Sequence, residues 1–243
     1  MEAKQAVFAI QRADERFHAD HGWLNTYFSF SFAEYYDPRN LNWGALRVLN
    51  DDTIAAGQGF PTHPHKDMEI ITYVLSGKLE HKDSMGNHGV VGPGGVQYMS
   101  AGTGVRHSEF NGSDTQPLHL VQMWLLPGRK GLRPSYGQRD FTLQDRLNKW
   151  LLVASGMPGD RPSVPLSQQA AFRVARLENG VIDHAFAPGR LGFLFVAEGG
   201  VAANGSRLEA GDAARIGSLK SLALSGTGEV LLWDVPPTID VPV

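Results

Sequence analysis

The apolar and polar positions of this chain repeat with the period of strands. Phe28, Phe30 and Phe32 alternate with Ser29 and Ser31, the period of two expected of a strand with one buried face. Residues 69–75 (EIITYVL) are β-branched and aromatic and stop at Ser76-Gly77, and residues 118–126 (LHLVQMWLL) form a second apolar run of strand length. Turn signals separate these runs: Met85-Gly86-Asn87, Gly92-Pro93-Gly94-Gly95, Asn204-Gly205 and Ala210-Gly211-Asp212. No long stretch holds a period of 3.6, and residues 143–151 read as one short helix. Short strands between frequent turns predict an all-β sandwich or barrel.

The pattern also repeats at about half the chain length. Tyr73-Val74-Leu75-Ser76-Gly77-Lys78 reads like Phe195-Val196-Ala197-Glu198-Gly199-Gly200, and Gly92-Pro93-Gly94-Gly95-Val96 reads like Glu209-Ala210-Gly211-Asp212-Ala213. Two similar β-domains in tandem explain both matches. The breaker-rich stretch Pro127-Gly128-Arg129-Lys130-Gly131-Leu132-Arg133-Pro134 lies where a linker is needed. The expected division is a first domain over 1–127, a linker over 128–140 and a second domain over 141–243.

Composition narrows the function. The 243 residues carry 22 Lys+Arg against 25 Asp+Glu, a net charge of −3. That argues against a strongly basic nucleic-acid binder. The 28 glycines agree with many tight turns, and the lack of cysteine removes disulfides, Cys–Zn sites and thiol nucleophiles. Residues 1–17 hold only a five-residue apolar run, 6–10, which is too short for the core of a signal peptide. No stretch approaches the ~18 apolar residues of a membrane span. A cytoplasmic location is the expectation.

Candidate chemistry comes from histidine. Of nine histidines, those at 63, 65, 81, 88, 107 and 119 crowd into one part of the chain. His63-Pro64-His65 puts two imidazoles on one face of an extended strand, and Pro64 holds that strand extended. His107-Ser108-Glu109 does the same with an imidazole and a carboxylate. Two such strands side by side on a barrel wall aim four ligands at one point, and imidazole with carboxylate suits a divalent transition metal. His81 and His88 flank the Gly86-Asn87 turn and read as solvent-exposed hairpin residues, and His18 and His21 read as structural. His119 and Gln122 lie on opposite faces of one strand, with Gln122 the better choice to orient a ligand. Tyr35, Tyr36 and the five tryptophans read as core or domain-interface residues. After residue 109 no HxH or HxE pair occurs. The second-half positions matching His63 and His65 are Ala185 and Ala187, and His184 is out of phase. A metal-free second domain is expected.

The glycine framing of these histidines, Gly57 to Gly77 around His63, His65 and Glu69, followed by Pro93-Gly94-Gly95 and His107, is close to the two motifs of the cupin superfamily. More specifically, His63-Pro64-His65-Lys66-Asp67-Met68-Glu69 and Met99-Ser100-Ala101-Gly102-Thr103-Gly104-Val105-Arg106-His107-Ser108-Glu109 resemble the pirin family of bicupins. His21-Gly22-Trp23-Leu24 and residues 30–38 (FSFAEYYDP) resemble its bacterial quercetinase branch. The resemblance is dense over 10–126; over 140–243 it is that of a degenerate second cupin. It implies two tandem cupin barrels with few short helices, and one metal per chain held by His63, His65, His107 and Glu109. Glu69, at the position of a common cupin ligand, is expected to support a ligand or the fold, with a fifth metal oxygen as its other reading.

The resemblance further implies quercetin 2,3-dioxygenase activity: a flavonol and O₂ as substrates, carbon monoxide released, and Glu109 taking the 3-hydroxyl proton. Fe(II) is the first choice of metal, with nickel, manganese, cobalt and copper also compatible with the donor set. The competing class is a metal-binding regulatory or interaction protein with a protein partner. A third is a metal-dependent isomerase or hydrolase that needs no O₂. Neither direct nucleic-acid binding nor membrane association is expected.

Overall fold

The computed structural model describes residues 6–237. The extreme ends of the two expected domains, and of the N-terminal segment read for a signal peptide, lie outside the described residues. The chain folds into three sheets, antiparallel but for one short parallel pair. A seven-stranded sheet runs in the order Ser135–Arg139, Val96–Ser100, Glu69–Ser76, Leu118–Leu125, Leu46–Ile54, Leu24–Phe28, Phe17–Asp20. A four-stranded sheet runs Gly59–His65, Val105–Asn111, Leu79–Asp83, His88–Val91. These two sheets form the first barrel. The remaining eight strands make one sheet built on Ala171–Ala185, Leu191–Ala203 and Ser221–Val235, long strands broken by register shifts that let one sheet wrap its own core.

Period-two alternation explains why the apolar runs are nearly continuous. In Glu69–Ser76, Ile71 and Tyr73 pack outward against Phe172, Phe195 and Trp233 of the second half, while Ile70 and Val74 face the interior of the first barrel. In Leu118–Leu125, Val121 and Met123 face outward and Leu118 and Leu120 inward. A sheet buried on both faces needs apolar residues at successive positions. The shared core includes Phe172 stacked on Trp233 at 4.9 Å, and the Trp233 Nε1–H donates to Met123 Sδ at 3.1 Å.

The half-chain repeat has a structural counterpart. Gly77 and Gly199 both take positive φ, +85° and +71°, and at each the missing Cβ would collide with backbone of a neighbouring strand. Only glycine supplies that conformation at that approach without strain.

Four expectations change. The alternating run Phe28 to Phe32, expected as a strand with one buried face, leaves the strand Leu24–Phe28 at its last residue, and Ser29 and Ser31 are buried together with Phe28 and Phe30. The strand Val7–Gln11, placed by sequence in the first domain, joins the second by pairing with Ala213–Gly217. The strand Ser135–Arg139, inside the expected linker, pairs with Val96–Ser100 at the edge of the first. Breaker residues mark the loop before it, but its partner strand lies some forty positions upstream and leaves no local signal. The helix expected over 143–151 spans only Leu143–Arg146, and Leu151 already starts the strand Leu151–Ser155. Among the described residues no helix is long and apolar enough to cross a membrane.

Candidate metal centre

The four-stranded sheet places the histidines. Val105–Asn111 pairs with Gly59–His65 so that His107 lies opposite His63 and Val105 opposite His65. A register shift between His107 and Glu109 bends the strand. His63, His65 and His107 form a compact trio: ring centroids are 4.5 Å apart for His63–His107 and 4.8 Å for both pairs that include His65. The His63 and His107 Nε2 atoms stand 3.0 Å apart. Two nitrogens each ~2.1 Å from one ion and at right angles would be about 3 Å apart, so the spacing fits a shared divalent ion. His63 Nδ1–H donates to the Pro61 carbonyl at 2.8 Å, which leaves Nε2 as the lone-pair nitrogen. Burial, reinforced by the neighbouring imidazoles, lowers the pKa of His65 to about 4 and of His107 to about 3. Both rings are therefore neutral at pH 7, the form that binds metal.

Glu109 is buried beside the trio, and its carboxylate is gripped from both sides. Gln97 Nε2–H donates to Oε1, and Gln122 Nε2–H donates to Oε2 at 2.8 Å. Trp124 Nε1–H in turn donates to Gln122 Oε1 at 3.1 Å, which fixes that amide's orientation. These amides belong to a polar row across four adjacent strands, in which Asn50 pairs with Gln122, Gln122 with Thr72 and Thr72 with Gln97. A carboxylate oxygen has two lone pairs, so each keeps one for a metal or a proton.

Above the trio opens a cavity of about 490 Å³ walled by Trp23, Phe28, Phe32, Phe60 and Trp124. Its polar groups include Thr26, Asn50 and Asp52. Burial pushes the Asp52 carboxyl up to about 7; the Thr26 hydroxyl, which donates to it, opposes this, and the charges of Asp51 and Glu109 add to it. His21 and Glu34 meet at the mouth, 3.5 Å apart. Trp23 and Trp124, read from sequence as core or interface residues, are thus cavity walls.

The other candidates sort by face. Gln122 points inward to Glu109. His119, on the opposite face, pairs with Asp51 at 2.7 Å. Glu69 shares the outward face of Ile71 and Tyr73. It accepts hydrogen bonds from the Tyr98 hydroxyl at 2.9 Å and from the backbone N–H groups of Ser167 at 2.8 Å and Gln168 at 3.1 Å. It therefore fastens the second half to the first and is remote from the trio in role.

His81 overturns its expectation. Its side chain is fully buried, because Leu79–Asp83 lies beside Val105–Asn111 with His81 opposite Glu109 and Asp83 opposite His107. His88, by contrast, is exposed as expected. Donor atoms of His81, His107 and Glu109 lie within 4.8 Å of one another, as do those of His63, His65 and His107. A sequence signal existed: His81-Lys82-Asp83 has the one-residue spacing of the other two pairs. Gln97 and the cavity aromatics carried no such signal.

Both metal-competent groups among the described residues lie in the first barrel. The second barrel is filled by side chains such as Leu194, Val196, Leu208, Leu224 and Leu232, and His184 there pairs with Asp234 at 3.3 Å.

Comparison with known proteins agrees with this architecture. A family model described as Pirin matches residues 10–125, and one described as the quercetinase C-terminal cupin domain matches 140–235. Quercetin 2,3-dioxygenase of Escherichia coli (strain K12) is 45% identical over 230 residues, 94% of this chain and 98% of that protein. A pirin-like protein of Caulobacter vibrioides is 47% identical over 199 residues, 82% of this chain and 85% of its own. The crystal structure of the bacterial pirin YhhW from Escherichia coli in complex with nickel(II) superposes with a TM-score of 0.88 at 43% identity, covering 95% of this chain and all of that one. With its two cupin domains, the chain belongs to the pirin family.

Proposed function

We propose that this protein is a metal-dependent dioxygenase that cleaves quercetin or a related flavonol with O₂ and releases carbon monoxide. The observation that supports the reading is the close trio of His63, His65 and His107, with the Glu109 carboxylate near His107, beside an aromatic cavity lined by His63, His65 and Glu109. In this reading His63, His65, His107 and Glu109 hold one divalent ion, with Fe(II) the first choice, and the protein acts in the cytoplasm. The ion, when bound, supplies a Lewis acid for the substrate oxygen and a redox-capable centre for O₂ chemistry.

The chain's own residues do the rest. The three neutral imidazoles and single carboxylate leave a divalent site with a formal charge of +1, suited to an anionic enolate oxygen. Trp23, Phe28, Phe32, Phe60 and Trp124 offer a flat polyphenol an apolar, aromatic wall. Glu109 lines the cavity and can accept the 3-hydroxyl proton, while Gln97 and Gln122 hold its carboxylate in place.

The test is flavonol loss and carbon monoxide release at matched metal occupancy for the wild type and Glu109→Gln. Turnover by the wild type and a much slower variant support the reading. Equal rates remove Glu109 as base. An inactive wild type with iron, nickel, manganese, cobalt and copper alike leaves the metal-binding regulatory protein as the better reading.

A further inference from the structure

We propose that His81 is a positioning residue for the metal centre: anchored by Asp83, it accepts a hydrogen bond from the imidazole of His107 and so fixes which nitrogen of His107 faces the metal. The proposal rests on reading His107 as a ligand.

Two nitrogens without partners carry it. His107 Nε2 faces His63 Nε2 at 3.0 Å, so Nε2 is its metal-side atom. Its Nδ1 must then carry the proton, and that atom is buried with no hydrogen-bond partner. His81 Nε2 lies 3.2 Å from Asp83 Oδ2. A carboxylate only accepts, so Nε2 of His81 carries a proton, and in the neutral ring that the proposal requires Nδ1 is a bare lone pair. That Nδ1 is likewise buried and unpartnered. One ring holds a donor lacking an acceptor, the other an acceptor lacking a donor, and their centroids are 5.3 Å apart, tilted by 56°.

The surroundings hold this pair in place. Strand pairing sets Asp83 opposite His107 and His81 opposite Glu109. Tyr136 stacks on His81 at 4.2 Å and 13°, which fixes the plane of the ring. Asp83 is itself locked by Asn87, whose Nδ2–H donates to Oδ2 at 2.8 Å, and by the backbone N–H groups of Met85 and Asn87 on Oδ1. The proposed bond requires one buried water or a small ring rotation to join the two nitrogens. The outcome is a chain of Asp83, His81 and His107 ending at the ion, which orients the ligand and raises its basicity.

The test uses nickel(II) as probe. Affinity is measured by competition with a chromogenic chelator for the wild type, His81→Leu and His81→Gln. Removing such a partner costs about 10–100-fold in metal affinity. We expect that loss in His81→Leu, which keeps the volume but has no acceptor, and recovery of most of it in His81→Gln, whose amide oxygen can accept. X-ray absorption should count the same number of imidazoles in nickel-loaded wild type and His81→Gln. Unchanged affinity in His81→Leu overturns the proposal. So does one imidazole fewer in His81→Gln, which makes His81 a ligand itself. If His81→Leu does not fold, nitrogen NMR of the zinc-loaded wild type decides: a His107 proton on Nδ1, hydrogen-bonded and slow to exchange, supports the proposal, and a solvent-exchanging one ends it. Failure of the underlying reading is seen separately, as unimpaired nickel binding by His107→Ala.

Discussion

Glu109 combines two demands that pull in opposite directions. Its two oxygens already accept amide N–H groups from Gln97 and Gln122, whereas a base must keep a lone pair free for the substrate proton. Glu109→Gln removes the proton acceptor and also turns an NH₂ toward Gln97 or Gln122, one of which must flip. The variant should keep part of its metal, since three imidazoles remain, and lose about 10²–10⁴ in turnover at matched occupancy. His63→Ala and His107→Ala should each lose most of the metal affinity by titration. His184→Ala should lose none, because His184 pairs with Asp234 in the second barrel, although it will lower the unfolding midpoint. The same imidazoles set a pH dependence. His65 and His107 titrate near 4 and 3 in the folded protein and near ~6.5 when unfolded. Between those values the unfolded chain binds more protons, so the metal-free protein loses stability as the pH falls from about 6.5 to about 4. Urea midpoints from pH 7 to pH 4 in chelator should show the decline, and His65→Gln should make it shallower.

Strands and turns obey simpler rules. The strands Gly59–His65, Leu79–Asp83 and Val105–Asn111 each carry two ligand-type residues two positions apart, and each turns both toward the barrel interior. Turns fix where such strands stop. Gly77 and Gly86 have nearly the same positive φ, +85° and +89°, but a Cβ at Gly77 would lie 2.7 Å from the Pro117 carbonyl oxygen and 2.8 Å from Leu118 Cα, while one at Gly86 meets nothing within 4 Å. Gly86→Ala should therefore cost only the left-handed backbone penalty of about 1–2 kcal/mol. Gly77→Ala should cost clearly more, because the neighbouring strand must also shift. Denaturant unfolding of the two variants separates the conformational cost from the steric one.

At the scale of the whole molecule, the second barrel supports the first across a common core. Glu69 is one polar fastening in that contact, with three donors from Tyr98, Ser167 and Gln168. Glu69→Ala strands buried N–H and O–H groups and should lower stability by about 2–4 kcal/mol. Nickel affinity should stay unchanged, because the side chain points away from the trio. A fall in affinity comparable to that of His63→Ala would restore Glu69 as a ligand.

The sequence by itself determined what is local and periodic. Apolar runs bounded by turn residues marked strands such as Glu69–Ser76 and Leu118–Leu125, paired glycines marked the repeat, and one-residue spacing put His63 with His65 and His107 with Glu109 on common faces, since neighbouring side chains on a strand point to opposite sides. Only the tertiary structure decided what depends on which strands become neighbours. His81 looked like a hairpin residue until its strand was laid beside Val105–Asn111. Glu69, expected to support a ligand or the fold, kept a fifth metal oxygen as its other reading until the two faces of its sheet were assigned, one to the cavity and one to the second barrel. Val7–Gln11 and Ser135–Arg139 crossed the expected boundaries because edge strands are claimed by whichever sheet has open N–H and C=O groups within reach. Those pairings join residues far apart in the chain, and no local period encodes them.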